Sequence, residues 1–197
     1  MVRIGVLSYQ GAVSEHIDSV RRLGMEAVKI RDARALEGVD GLILPGGEST
    51  THGKLLVKYG LDEAIRERAS RGMPVFGTCT GIILLAREIV GSDQPRLGLM
   101  DIAVERNAFG RQVDSFEADI EVDGLGDLFP AVFIRAPVVR RVGPRVKVLA
   151  RWQGDPVMVR EGQFLGCAFH PELTEDTRIH EYFLGMVEEA HSHRAGK

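Results

Sequence analysis

One cysteine in the sequence stands in a setting that can make its thiol a nucleophile. Residues 77–81 read Gly-Thr-Cys-Thr-Gly and join an apolar segment that predicts a strand to one that predicts a helix. This is the glycine-flanked elbow of serine hydrolases with cysteine in place of serine. A helix N-terminus favours the thiolate, and the backbone N–H of Thr80 can donate to an oxyanion. We therefore predict Cys79 as a nucleophile; the alternative is a small residue that only fills a tight turn.

A thiol nucleophile needs a base, and His170 is the strongest candidate among the six histidines. It follows the apolar segment 164–169 and precedes Pro171-Glu172. In an extended segment, residues two apart point to the same side with their Cα atoms about 7 Å apart. We expect Pro171 to keep the segment extended and Glu172 to orient the His170 ring. The alternative is a buried strand-end histidine beside a surface glutamate.

The other histidines and the second cysteine are weaker candidates. Two histidines fall in amphipathic helical patterns and two in the C-terminal tail, where surface or satisfied side chains are expected: His16 and His180, and His191 and His193. His52 follows a Gly-Gly turn and stays open as an alternative base. Cys167 lies in the apolar segment 164–169, which predicts a buried and inert thiol.

Three further positions carry groups that suit a substrate with charge. Residues 45–50, Pro-Gly-Gly-Glu-Ser-Thr, end a predicted strand, and the double glycine lets backbone N–H groups approach a ligand. No Gly-Lys-Ser/Thr follows, so this is not a phosphate-binding P-loop, and a plain strand–helix turn is an equal alternative. Arg106 and Arg135 can each hold a carboxylate through two hydrogen bonds, although either alone is more often a surface arginine.

The predicted elements would bring these side chains to one sheet edge. Strands are predicted at 2–8, 25–30, 40–45 and 74–77. A helical pattern follows the first strand at 13–23, a second helical stretch opens after the turn at 48–51 and continues through 61–70, and another helix is predicted at 82–90. Continuous apolar strands that alternate with helices indicate a parallel sheet covered on both faces. Strand ends in such sheets gather at one edge, where the elbow and His170 would both lie.

After Leu97 the pattern changes from alternation to strands with few helices. Strands are predicted at 102–104, 115–122, 132–135, 146–151, 156–160 and 164–169, which favours antiparallel ribbon or sheet-edge structure. Thr174 is expected to cap a final helix to about residue 189, with Ile179, Phe183 and Met186 on its inner face. The last residues, 191–197, are expected to fray.

Length, composition and charge exclude several classes of protein. The 197 residues predict one domain over 1–197 that needs no metal, cofactor or disulfide for stability. The net charge of −3 with dispersed basic residues argues against nucleic acid or an anionic membrane as partner. Two cysteines in unlike contexts, with no signal-peptide pattern and no apolar run of about 18 residues, favour a cytoplasmic chain.

These segments together resemble the class I, or triad, glutamine amidotransferases along nearly the whole chain. The elbow at 77–81 and Phe-His-Pro-Glu at 169–172 are typical of that superfamily. Three other segments are similar to the glutaminase subunits of pyridoxal 5′-phosphate synthases, rather than to relatives serving histidine, purine or tryptophan synthesis: Gly-Gly-Glu-Ser-Thr at 46–50, Arg-Asn-Ala-Phe-Gly at 106–110 and Ile-Arg-Ala-Pro at 134–137.

The resemblance implies a flavodoxin-like α/β fold with three layers, a mostly parallel sheet, helices on both faces and antiparallel strands in the C-terminal half. It implies hydrolysis of L-glutamine to glutamate and ammonia through a thioester, with Cys79 as nucleophile, His170 as base and Glu172 as its orienter. The N–H groups of Gly47 and Thr80 would hold the oxyanion. The residues implied to contact glutamine are Gly47, Glu48, Ser49, Arg106, Ile134 and Arg135.

The resemblance also implies a protein partner. The ammonia would pass to a separate synthase subunit that builds the pyridoxal ring, and Gln10 would lie toward that subunit. Thr80 stands where the family commonly has alanine, and Tyr9 where an aliphatic residue is more usual. Three alternatives stay open: a glutaminase subunit of another amidotransferase, a Cys-dependent α/β hydrolase, and a non-catalytic binding module of the same fold.

Overall fold

The computed structural model describes residues 2–106 and 115–195. In the first half strands and helices alternate: β1 (Arg3–Leu7), α1 (Val13–Arg22), β2 (Glu26–Ile30), α2 (Ala33–Glu37), β3 (Gly41–Leu44), α3 (Ser49–Lys58), α4 (Leu61–Ser70), β4 (Val75–Thr78) and α5 (Thr80–Leu85). The second half is mostly strands: β5 (Ala86–Ile89), β6 (Met100–Glu105), β7 (Ser115–Ile120), β8 (Phe129–Ile134), β9 (Val138–Val142), β10 (Lys147–Trp152), β11 (Asp155–Glu161) and β12 (Phe164–Cys167). A 3₁₀ turn (Pro171–Leu173) and helix α6 (Arg178–Ala195) follow.

A seven-stranded sheet in the order β10-β11-β12-β4-β3-β1-β2 forms the centre of the molecule. The pairs from β2 to β12 are parallel, whereas β10 and β11 extend the sheet as antiparallel strands at one edge. The order 2-1-3-4 is that of flavodoxin-like doubly wound folds. The predicted fold class is therefore confirmed, including the antiparallel strands of the C-terminal half.

Two apolar cores cover the two faces of this sheet. Helices α1 and α6 pack on one face through side chains such as Val20 and Phe183, which are fully buried. Helices α3 and α4 pack on the other through Leu56 and Ile65. Full burial of one such side chain stabilises the fold by roughly 1.5–3 kcal/mol. The strands between the cores are apolar on both faces, as the sequence predicts for a covered parallel sheet.

The neighbouring parallel strands β4 and β12 place the predicted nucleophile and its predicted base. Thr78 at the end of β4 lies opposite Cys167 at the end of β12. The chain therefore leaves both strands at the same sheet edge, with Cys79 directly after β4 and His170 three residues after β12. A hydrogen bond from the Cys79 N–H to the Cys167 carbonyl, 2.9 Å long, ties the two exits together.

The prediction of a helix at 82–90 is wrong for the second half of that segment. Helix α5 ends at Leu85, and β5 continues from Ala86 as a strand that pairs in parallel with β6. Ala86 and Ile89 are buried while the two residues between them are exposed, a spacing that suits either a helix or an irregular edge strand. Pairing with β6, more than ten residues away, decides between them, and local periodicity does not contain that information.

The start of the last helix also differs from the prediction. Thr174 closes the 3₁₀ turn, where its hydroxyl donates to the Pro171 carbonyl at 3.0 Å. The N–H of Arg178, the first residue of α6, instead finds the Asp176 carboxylate at 3.1 Å. The helix then continues past residue 189 to Ala195, so most of the tail predicted to fray is helical.

Three smaller features were absent from the prediction. Helix α2 and strand β9 were not predicted, and the single helical stretch expected after residue 48 is two helices. Gly60 separates α3 from α4 with a φ of 67°, a left-handed conformation that glycine adopts without strain.

None of the helices in the described part of the chain is long and apolar enough to cross a membrane.

Candidate active site

The turn that carries Cys79 is strained and admits no larger residue on either side. Cys79 has a φ of 50° and a ψ of −105°, which is rare for a residue with a side chain. A Cβ at Gly77 would lie 2.4 Å from the Gly81 carbonyl carbon, and one at Gly81 would lie 2.2 Å from the Leu44 carbonyl oxygen. The two glycines thus permit the sharp elbow that the sequence predicts.

His170 and Glu172 form a short, buried hydrogen bond. The ring Nδ1 lies 2.7 Å from a carboxylate oxygen of Glu172, and the two residues are 8% and 4% exposed. Because an ionised carboxylate only accepts, Nδ1 must carry the proton, which leaves Nε2 facing away from Glu172. The backbone N–H of His170 donates to the Val132 carbonyl of β8 at 2.8 Å and holds the residue in place.

The predicted extended geometry between these two residues is wrong, although the predicted contact is present. Pro171 opens a 3₁₀ turn, with His170 as the residue that precedes it, and the turn folds the Glu172 carboxylate back toward the ring. Proline suits the first position of a helical turn because its missing N–H has no acceptor there. The same residue type therefore supports either an extended or a turned backbone.

The surroundings of His170 favour its imidazolium form. Burial by itself disfavours the charged ring, but the neighbouring Cys79 sulfur and the Glu172 carboxylate outweigh it and raise the pKa of His170 to about 10. Burial likewise opposes ionisation of Glu172, yet the histidines around it hold the pKa of its carboxyl below the usual value. The pair can therefore keep a proton taken from the thiol.

Cys79 and His170 open into a cavity of about 390 Å³. The same cavity is lined by every residue predicted to contact glutamine or the oxyanion, together with Gln10 and Ile83: Gly47, Glu48, Ser49, Thr80, Arg106, Ile134 and Arg135. Glu172 does not line it and lies behind the His170 ring. The fold thus gathers side chains from the ends of β3, β4, β6, β8 and β12 around one thiol.

The Gly46-Gly47 loop packs directly against the elbow. A Cβ at Gly46 would lie 2.6 Å from the His170 ring, so no side chain fits there. Gly47 has a φ of 144°, and its carbonyl accepts a short hydrogen bond from the Thr80 hydroxyl. The backbone N–H of Thr80, as the first in helix α5, has no acceptor within the helix. The hydroxyl that distinguishes this chain from the family pattern thus ties the loop to the elbow.

Glu48 serves the fold through its side chain. Its two carboxylate oxygens accept from the N–H groups of Thr50 and Thr51 at 3.0 and 2.7 Å, which caps helix α3. Partial burial raises its pKa, but a hydrogen bond from the Thr51 hydroxyl and those from the two N–H groups outweigh that effect and lower the pKa to about 2. Because the carboxylate is already engaged, a contact between Glu48 and a substrate would come from its backbone.

Both arginines proposed as carboxylate clamps reach the cavity. Arg106 donates to the Thr50 hydroxyl at 3.1 Å, and Arg135 has a strained φ of 43° at the end of β8. The preceding carbonyl, of Ile134, lies 3.8 Å from the Cys79 sulfur. In residues 2–106 and 115–195 neither arginine pairs with a carboxylate. Residues 107–110 of the predicted Arg106 segment lie outside the described residues.

The structure places two functional candidates where the sequence analysis expected surface or satisfied residues. His16 of α1 and His180 of α6 are 0% and 1% exposed and lie behind Glu172. The sequence did indicate that His16 is buried, because it lies three residues after Val13 and four before Val20, on the inner face of α1. His180 likewise lies next to Ile179 and three residues before Phe183, but nothing local shows that the two rings meet.

The remaining candidates do not reach the cavity. His52 is fully buried on α3 and does not line it, so nothing supports His52 as the base. Cys167 is buried as predicted, and burial raises the pKa of its thiol well above the usual value. His191 and His193 are exposed on α6, where His191 lies 3.1 Å from the Asp40 carboxylate.

Comparison with known proteins gives one consistent family. The model of the SNO glutamine amidotransferase family matches residues 6–189. The chain is 57% identical over 190 residues to the pyridoxal 5′-phosphate synthase subunit PdxT of Geobacillus sp. (strain WCH70), which covers 96% of this chain and 99% of that protein. It is 59% identical to the subunit of the same name from Moorella thermoacetica, over 94% of this chain and 100% of the relative.

Solved structures agree with this result. A crystal structure of a glutamine amidotransferase superposes with a TM-score of 0.91 at 55% identity and covers 94% of this chain and 98% of its own. The structure of PurLQS from Thermotoga maritima contains a chain that superposes with a TM-score of 0.68 at 18% identity, over 96% of this chain and 96% of its own. The second likeness shows the shared fold alone.

Proposed function

The chain belongs to the SNO glutamine amidotransferase family and acts as the glutaminase subunit of pyridoxal 5′-phosphate synthase, and we propose that Cys79, His170 and Glu172 carry out its chemistry. One observation carries the proposal about these residues. The His170 ring stands between the Cys79 sulfur at the cavity and a buried carboxylate, one oxygen of which lies 2.7 Å from the ring Nδ1. This is the order of groups that an activated thiol requires.

The first half-reaction makes a thioester and releases ammonia. His170 takes the proton of the Cys79 thiol, and the thiolate attacks the side-chain amide carbon of glutamine. The carbonyl oxygen becomes an oxyanion, to which the N–H groups of Gly47 and Thr80 donate. His170 then returns the proton to the amide nitrogen as the C–N bond breaks, and ammonia leaves.

The second half-reaction restores the enzyme. His170, now neutral, takes a proton from a water molecule that attacks the thioester carbon. The C–S bond breaks, glutamate leaves, and the proton on His170 passes back to the Cys79 sulfur. Glu172 accepts the Nδ1 proton throughout and keeps Nε2 directed at the sulfur in both halves.

The cavity suits a free amino acid of glutamine's size. Its volume of about 390 Å³ lies at the small end of ligand sites. Its two guanidinium groups, which pair with no carboxylate within residues 2–106 and 115–195, suit the α-carboxylate. We assign Arg106 and Arg135 to that role, with Gly47, Glu48, Ser49 and Ile134 contacting the remainder of the substrate. These positions surround the thiol, so the amide carbon can reach it.

The ammonia is used by a separate synthase subunit. Protonated ammonia is no nucleophile, so transfer inside the complex avoids loss to water. Gln10 lines the cavity, and we place it toward the synthase subunit. We further infer that residues 1–197 act as one domain and that the protein works in the cytoplasm. The relatives reported above support neither a subunit of another amidotransferase nor a Cys-dependent hydrolase of unrelated substrate.

Glutamate release from glutamine tests the assignment of the nucleophile. Wild type and Cys79→Ala are compared, each with and without the synthase subunit. We expect release by wild type, increased by the partner, and none by Cys79→Ala. Release by a folded Cys79→Ala variant at the wild-type rate would remove Cys79 from the mechanism. A Cys167→Ala variant is the matched control, because it removes the buried thiol and should keep the activity.

A further inference from the structure

The second oxygen of the Glu172 carboxylate has an unusual environment. Oε1 accepts from His170, but Oε2 is buried and, among the described residues, has no hydrogen bond of normal length. The group that faces it is the Nε2 of His16 at 3.5 Å. A buried carboxylate oxygen without a donor is costly, so this neighbour decides how firmly the carboxylate is held.

His16 meets Glu172 as a neutral ring. Its side chain is fully buried, and burial lowers its pKa more strongly than the nearby Glu172 carboxylate raises it. A neutral imidazole has one N–H and one lone pair, so the tautomer determines which of the two faces Glu172. His16 can help Glu172 only if the proton is on Nε2.

The neighbours of His16 select that tautomer. The His16 Nδ1 lies 2.9 Å from the Nε2 of His180, and the His16 Nε2 lies 3.1 Å from the Thr78 hydroxyl. A proton on His16 Nδ1 would make His180 the acceptor and move the His180 proton to Nδ1, which is buried without a partner among the described residues. It would also turn the lone pair of His16 Nε2 toward the carboxylate.

The opposite arrangement satisfies every N–H of the pair. His180 Nε2 then donates to His16 Nδ1, and His16 Nε2 donates toward Thr78 and Glu172. The one group left over is the lone pair of His180 Nδ1, which is less costly to bury than an N–H or a repelled carboxylate. Thus a chain of hydrogen-bond donors runs from His180 of α6 through His16 of α1 to the Glu172 carboxylate.

We propose that His16 is a positioning residue of the glutaminase: its Nε2–H restrains Glu172 from behind, and His180 sets the His16 tautomer. The inference rests on the proposed role of Cys79, His170 and Glu172. At 3.5 Å the His16–Glu172 contact is long in the free subunit, and hydrogen bonds of this kind often tighten only when the substrate complex forms. His16 touches neither glutamine nor the sulfur, so it acts only through Glu172.

Two substitutions separate positioning from mere core filling. His16→Phe keeps an aromatic ring of similar size but removes the donor, whereas His16→Gln places an amide N–H near the position of the lost Nε2. Val20→Ala is the control, because it perturbs the same helix at a fully buried site away from the triad. Steady-state glutamate release is measured for each variant in complex with the synthase subunit, and each rate is divided by the folded fraction.

We expect His16→Phe to lower kcat about tenfold at unchanged KM, because a buried charged acceptor loses its donor. His16→Gln should recover most of that loss, and Val20→Ala should lose stability without losing kcat. Wild-type kcat in His16→Phe, or equal losses in the Phe and Gln variants, would overturn the proposal.

If His16→Phe does not fold, a second variant still tests the proposal. His180→Phe leaves His16 in place and removes only the donor that sets its tautomer, so kcat should fall about threefold. An unchanged kcat there would contradict the proposed line of donors. Failure of these tests while Cys79→Ala is inactive would leave the glutaminase assignment standing, whereas activity in Cys79→Ala would remove its premise.

Discussion

The Glu172 carboxylate separates two histidine environments in which the proton affinity moves in opposite directions. On the cavity side, burial disfavours the His170 imidazolium, but Cys79 and Glu172 outweigh it and raise its pKa to about 10. On the closed side, burial and the neighbouring His16 lower the pKa of His180 to about 3. Both residues are buried, at 8% and 1% exposure, so burial alone does not decide the charge of a ring. The thiol and the carboxylate beside His170 reverse the effect of burial, whereas the Glu172 charge does not offset it at His180.

The two cysteines teach a related lesson about position. Cys79 directly follows β4, and Cys167 is the last residue of the neighbouring strand β12. The N–H of Cys79 donates to the Cys167 carbonyl at 2.9 Å. Cys167 ends a regular strand, is 0% exposed, and lies 3.3 Å from the Phe169 carbonyl. The elbow turns Cys79 out of the sheet and into the cavity. One strained backbone turn therefore separates the proposed nucleophile from a thiol that is part of the core.

The largest expected effect on activity comes from replacing His170, whose ring faces the cavity. His170→Ala removes the base, and we expect glutamate release in the synthase complex to fall about 1,000-fold or more. His52→Met serves as the control, since it replaces another buried histidine that does not reach the cavity, and should stay within about threefold of wild type. Substantial release by His170→Ala, or loss of release in a folded His52→Met, would reverse the roles assigned to the two rings.

Glu172→Gln tests the carboxylate that lies between the two histidine environments. The amide keeps the shape but removes the charge, so the tautomer of His170 is no longer imposed, and we expect kcat to fall about 100-fold. Because the carboxylate also raises the pKa of His170, that pKa should drop below about 10 in the variant. Titration of the His170 ring by NMR measures it, and an unmoved titration would show that Glu172 does not set the charge.

The opposite shifts predict how stability depends on pH. His170 binds its proton more tightly in the folded state, so its contribution is complete below the ordinary value of 6.5 and is lost as pH rises toward about 10. His180 binds its proton more weakly when folded, so stability is lost as pH falls from 6.5 toward about 3. The lowered pKa values of His16 and Glu172 act in the same direction as that of His180.

The free energy of unfolding should therefore peak near pH 6.5. Each released or bound proton changes it by at most about 1.4 kcal/mol per pH unit. Urea unfolding at several pH values measures the curve. His170→Ala should flatten its alkaline side and His180→Phe its acid side. A curve unchanged by both variants would contradict the stated ionisation of the two histidines.

The smallest effect is expected at Thr80, where the hydroxyl joins the elbow to the Gly47 carbonyl. Thr80→Ala restores the residue common in the family and keeps the N–H proposed for the oxyanion. We expect a stability loss of about 1 kcal/mol and a change in kcat/KM of less than about fivefold. Thermal unfolding and glutamate release measure the two. A loss of activity as large as that of Glu172→Gln would give the hydroxyl itself a role in catalysis.

Much of the fold and the site follows from local sequence. The apolar strands, the helix of residues 13–22 and the paired glycines around Cys79 each depend on neighbours within a few positions. The order of strands and helices then places the residues that follow β4 and β12 at one edge. Because that edge rule depends only on strand direction, the sequence sufficed to predict that Cys79, His170 and Glu172 lie close together.

Some local patterns were compatible with two structures, and packing chose between them. Residues 86–89 suit a helix until β6 is available to pair with them. Pro171 suits an extended segment or the first position of a 3₁₀ turn, and the structure has the turn. Backbone preferences differ by only about 1 kcal/mol in such cases, so contacts with distant residues decide.

The sequence by itself was enough to propose Cys79 as nucleophile, His170 as base and Glu172 as its orienter, because their spacing and flanking glycines and proline are local features. Only the tertiary structure revealed what stands behind that carboxylate. His16 and His180 are 164 positions apart and meet because α1 and α6 cover the same face of the sheet. The contact of Thr80 with Gly47 likewise joins the exits of two strands. Such pairs depend on how elements pack, and no local pattern of residues encodes which buried side chains will face each other.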